Sequence, residues 1–202
     1  MVARFDEKAL VSALETLSQK RRVAFAAACA EHLRPAYEVF SRRSGRGDSK
    51  ALGDILGKLW DDLAGDSMSS GELQSALDDC MKLIPREDEG PWVPEQAVAE
   101  DAVAALAYAL RCRQNGSSQE AALSARRCYE AVDYYVINAE NVDLSVQGAE
   151  SRALAHPLVQ AELARQQRDI DDLSKSGDAN DVAAARLRSR ARLEGVSFSW
   201  GS

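Results

Sequence analysis

Residues 52–63 carry Leu52, Ile55, Leu56, Leu59, Trp60 and Leu63 at alternating steps of three and four. That spacing gathers apolar side chains on one face of a 3.6-residue helix, so the chain must bury helix faces against one another. The same rhythm runs through the other long segments. Ala occurs 34 times and Leu 21, against five Ile and Thr residues together. The strongest helix formers therefore dominate and sheet formers are scarce, which gives an all-α class. A chain of 202 residues can bury about 70% of its unfolded surface, enough for a core without disulfide or metal staples.

The net charge of −7 is unevenly distributed. Residues 1–50 carry ten basic and six acidic groups, whereas residues 51–110 carry three and thirteen. With no clustered Lys and Arg to neutralise phosphates, nucleic acid is not expected as a partner. Cys29, Cys80, Cys112 and Cys128 form no C-x-x-C pair and have no His at ligand spacing, so no metal and no cofactor is expected. The longest apolar run, Ala102 to Leu110, is nine residues, too short to span a bilayer. The charged opening Phe5-Asp6-Glu7-Lys8 is unlike a signal peptide, and reduced thiols in the cytoplasm are the expectation.

The pattern predicts one domain over residues 1–195 with a tail at 196–202, built as a bundle of seven or eight helices. The helices fall at about 7–19, 21–43, 49–64, 70–84, 95–114, 118–140, 157–173 and 180–193. Asp6, Asp48, Ser69 and Ser117 are the expected N-caps, the last two in capping-box spacing with Glu72 and Glu120. Phe5 is placed to staple onto Leu10. Pro35 predicts a kink near Glu31, or a break into two helices. The segment 95–114 is apolar nearly all round, so it and 118–140 form the expected central antiparallel hairpin. Prolines and acidic residues (Glu87, Asp88, Glu89) make 85–94 a loop, Ser176-Gly177 a turn, and 141–155 has no clear pattern.

The run Val23-x-Phe25-x-Ala27, Glu31, Pro35-x-Tyr37, Phe40, Gly45-x-Gly47-Asp48, Ile55-Leu56 and Trp60 resembles the YjaG-like family of bacterial proteins, a domain of unknown function. The likeness continues through Ile84-Pro85, Asp101-Ala102 to Leu106, and Pro157-x-Val159 to Leu173. It implies a compact helical bacterial protein and carries over no catalytic residues.

Three functional readings follow from the residues. The leading one is a non-enzymatic interaction module with an acidic helical face (Asp61, Asp62, Asp78, Asp79), which suits a basic protein partner and includes an immunity- or antitoxin-like role. Trp92 and Tyr134 are its candidate aromatic contacts, and self-association is expected. The second is an anion or small-molecule binder at Arg43, Arg46, Gly47 and Lys50, where guanidiniums flank a glycine turn and a helix N-terminus. Gly45-x-Gly47 lacks the third glycine of a dinucleotide fingerprint and the Gly-Lys-Ser/Thr ending of a P-loop. The third is an enzyme using His32 as an acid–base group. Neither His32 nor His156 has a metal-ligand neighbour at helical spacing, and no nucleophile elbow is present.

Overall fold

Polar side chains at the junctions of extended and helical backbone set where most of the helices begin. Asp6, Ser18, Asp48, Ser69 and Ser117 each accept a hydrogen bond from a backbone N–H three residues on, at 2.8–3.4 Å. They open α1 (Glu7–Glu15), α2 (Gln19–Ser44), α3 (Ser49–Ala64), α4 (Ser70–Met81) and α6 (Ser118–Ala139). Both arms of the Ser69–Glu72 capping box are formed. Prolines open α5 (Pro94–Asn115) and α8 (Pro157–Lys175), where a missing N–H has no cost. The computed structural model describes residues 2–86, 88, 90–175 and 180–200. Ser176-Gly177, Glu87 and Glu89 lie outside the described residues.

The chain is an all-α bundle, with nine helices among the described residues. The helix that the sequence pattern does not announce is α7 (Ala149–Leu154), six residues held by buried Ala149 and Ala153. The last is α9 (Asn180–Leu193). The first helix ends at Glu15 rather than 19, because Ser18 caps the next one. Phe5 stacks on Tyr129 at 5.3 Å.

The centre is shared between the expected α5–α6 hairpin and α2, whose packing against α5 is the most extensive in the molecule. Every residue from Val23 to Leu33 is buried, so this stretch of α2 is enclosed on all sides, not along one stripe. Five alanines in that stretch let α5 and α6 approach closely. α3, α8 and α9 also pack against α2, and α4 packs against α5. On α6 the buried face is Ala121, Ala125, Cys128, Val132 and Val136, while Tyr135 is half-buried and Ala139 exposed. The periodicity from Ala121 through Val132 extends to Tyr135 and Ala139 as expected inward positions, and the buried stripe instead turns one position, to Val136, at its C-terminal end.

α2 is continuous through Pro35, so the two-helix alternative does not apply. Pro35 supplies no N–H to the helical ladder, and close by the His32 carbonyl accepts a hydrogen bond from Val196 N at 2.9 Å. The residues after α9 run over the proline, with Gly195 against its ring. They then insert Phe198, stacked on Tyr135 at 4.5 Å. Tyr135 donates to the Ser199 carbonyl and Arg43 to that of Trp200, each at 3.2 Å.

Candidate functional site

The densest polar chemistry lies inside the bundle, where α2, α6, α8 and α9 meet. Along α8, Val159, Glu162, Gln166, Asp169 and Leu173 follow the same three–four rhythm as the apolar stripes, with Arg165 beside them. Helix packing therefore carries two carboxylates and a guanidinium indoors, each under 5% exposed. Arg165 donates to both Glu162 oxygens at 2.7 and 2.8 Å and to Asp169 at 2.7 Å. From α2, His32 Nε2 lies 3.1 Å from Glu162. Gln166 donates to Glu162 and to the Ala125 carbonyl. Asp169 takes a second cation, Arg190 of α9, at 2.5 Å.

Two thiols border the cluster. Cys29 Sγ lies 3.7 Å from Arg165, and Cys128 Sγ lies 3.2 Å from the Cys29 carbonyl. Beside it, buried Glu31 accepts from the Trp60 indole at 2.8 Å and pairs with Arg34 and Arg192 at 3.1 Å. The His32 Nδ1 has no hydrogen-bond partner among the described residues.

Burial acts against every charge here, and the pairing decides the outcome. Burial would raise the Glu162 carboxyl, but Arg165 and His32 hold it well below the usual carboxylate range. At Asp169 burial wins over Arg165 and Arg190, and the group titrates above its ordinary value. Burial and the neighbouring Cys29 push the Cys128 thiol well up, so it stays protonated and unreactive. The charged groups are spent on one another, which makes this a device for joining four helices. Among the described residues no group of three or more His, Cys, Asp or Glu is arranged to hold a metal ion.

The residues singled out from sequence are spread over three other places. Arg43 pairs with buried Glu95 at 2.8 Å, and Lys50 with Asp54 at 2.5 Å. Arg46 donates to the Pro91 carbonyl and to Gln96 and lies over the Phe40 ring at 5.2 Å. These cations are drawn away from the glycine turn rather than converging on it, while the Asp48 carboxylate accepts from Ala51 N in the first turn of α3. Gly47 instead serves packing. Its φ is +73°, and a Cβ there would sit 2.6 Å from the Tyr37 hydroxyl, which donates to the Leu83 carbonyl and accepts from Asp48 N. Gly47→Ala is expected to cost about 2–4 kcal/mol, from the left-handed backbone plus overpacking. Gly45→Ala meets open space at a φ of +69° and should cost only about 1–2 kcal/mol. Urea unfolding of the two variants checks the difference.

On the acidic side Asp61, Asp78 and Asp79 are exposed, but Asp62 is buried and does not belong to the surface. Position 62 faces the end of α5, where Arg113 grips its carboxylate at 2.6 and 3.0 Å. Trp92 is 60% exposed. Tyr134 is half-buried against Trp200, with ring centroids 6.1 Å apart. His156 accepts from Leu158 N at 3.2 Å and so serves the start of α8. Sequence reading missed Glu162, Arg165, Gln166 and Asp169. The available signal was their place on the Val159–Leu173 stripe.

An all-α bundle that buries a His–Glu–Arg–Asp cluster between four helices defines the class of this protein. The chain belongs to the family described as Protein of unknown function (DUF416), which it matches over residues 9–198. A crystal structure of a DUF416 family protein from Shewanella baltica OS155 has the same fold, with a TM-score of 0.80 at 21% identity. The match covers 93% of this chain and 95% of that one. No curated protein matches the sequence. Among the described residues no helix is long and apolar enough to cross a membrane.

Proposed function

We propose that this is a non-enzymatic interaction module that presents the acidic surface of α3 and α4 to a basic protein, as an immunity or antitoxin protein would. The observation that carries the reading is the exposure of Asp54, Asp61, Glu72, Asp78 and Asp79 on two successive helices, with Asp66 in the turn between them. Lys50 and Lys82 pair with Asp54 and Asp79, Lys58 acts on Glu72 and Asp79, and Arg188 stands 3.8 Å from Asp61, which leaves the carboxylates in excess. A surface of one sign speeds encounter with a partner of the other and weakens with salt. The interior charges support the same reading, because they are committed to holding helices together under near-complete burial.

The test reverses Asp61, Asp78 and Asp79 to Lys together and compares affinity capture from the native cell, read by mass spectrometry. A basic protein retained by the wild type should be lost, and Glu15→Lys with Glu140→Lys and Glu150→Lys, three exposed positions elsewhere, should keep it. Asp62 is left intact because its loss would unfold the α3–α5 contact. Capture that is indifferent to the three reversals refutes the reading.

A further inference from the structure

α1 and α8 both lean on α6 and pack little against each other. Between them lies a cleft of about 470 Å³. One end is closed by Gln160, which accepts from Ala3 N at 2.8 Å and donates to the Ala3 carbonyl at 3.0 Å. Phe5, Leu10, Leu163 and Ile170 supply apolar walls. The volume and lining are those of a small-molecule site.

The floor carries the specific feature. Gln166 lines the cleft yet is only 4% exposed. Its amide nitrogen donates to two acceptors, the Ala125 carbonyl at 3.0 Å and Glu162 at 2.7 Å. Two acceptors on one side fix the orientation of the amide, because only the NH₂ end can satisfy both. The amide oxygen is thereby turned away from the cluster, and it accepts no hydrogen bond among the described residues. That oxygen, unpaired within the described residues at the base of an apolar cleft, is open to a donor that enters the cleft.

We propose that this cleft binds a small, neutral, mostly apolar molecule with one hydrogen-bond donor, the donor meeting Gln166 Oε1 and the apolar body lying between α1 and α8. Arg4 and Asp6 both line the cleft and leave no net charge to select an ion, and Glu162 beside the floor is held by Arg165. Nothing in this assignment depends on the α3–α4 surface.

Indole and 1-methylindole are the probes, alike in shape and differing in the N–H donor. Titration of the ¹⁵N-labelled full chain with indole should shift the amide signals of Leu10, Leu163 and Gln166 saturably. 1-Methylindole should bind about fivefold more weakly, the worth of one hydrogen bond. Ala164→Phe fills the cleft from an exposed wall position without touching the Gln166 contacts, and should abolish the shifts while leaving the rest of the spectrum in place. Gln166→Leu should bring the two probes to equal affinity. Absence of saturable shifts with both probes, equal binding of the two by the wild type, or unchanged binding in Ala164→Phe overturns the proposal.

Discussion

Replacing Arg165 with Leu should destabilise the protein by about 3–5 kcal/mol at neutral pH, with a fall in melting temperature of roughly 10 °C. The substitution takes from Glu162 its bidentate partner and from Asp169 one of two cations, and all three of these residues are under 5% exposed. Most of the loss is the cost of leaving carboxylates buried without a counter-charge, not the net worth of the pair. Replacing all three residues (Glu162→Leu, Arg165→Met and Asp169→Leu) should therefore recover much of it. The loss also depends on pH, with a definite sign. In the wild type the Glu162 carboxyl lies below its unfolded value, so its stabilising contribution is present above the unfolded pKa and disappears as pH falls through the folded one. In the variant the uncompensated carboxylates protonate readily. The gap between the two melting temperatures should narrow as pH falls from 7 towards 4, and calorimetry across that range measures it. A variant that melts with the wild type at pH 7 would show that the cluster contributes little.

Phe198→Ala should cost about 3 kcal/mol. The ring is 5% exposed although it lies beyond the last helix. It stacks on Tyr135, and Trp200 meets the same tyrosine edge-on at 5.1 Å. Removing it opens a cavity between α6 and the closing segment and loosens the Val196 bond to the His32 carbonyl. Urea unfolding gives the cost directly. Limited proteolysis should show faster cleavage around residues 194–200. A cost under about 1 kcal/mol would mean that the segment lies on the bundle without completing its core.

The elements that local chemistry decides were legible in the sequence. Caps at Asp6, Asp48, Ser69 and Ser117, the stripe from Leu52 to Leu63, and the glycine turn at Gly45 and Gly47 all involve residues within a few positions of one another. What depends on distant partners was not. Glu162, Arg165 and Asp169 have the spacing of ordinary surface ion pairs, and only the packing of α8 against α6, with α2 and α9 at its edges, makes them interior. Asp62 reads as one more charge on an acidic helix until Arg113 arrives from 51 residues further on. The insertion of Phe198 could not be read either, because it rests on where Pro35 interrupts the donors of another helix. α7 is too short for any periodicity to show.

Because the Val23–Leu33 stretch of α2 is made early and is enclosed on every side, its order of synthesis and its order of completion are far apart. Glu31 and His32 meet Arg192, Glu162 and Val196 only after more than half of the chain has been added. A chain emerging from the ribosome therefore holds its central helix with Glu31, His32 and the Cys29 thiol incompletely covered until α8 and α9 are out.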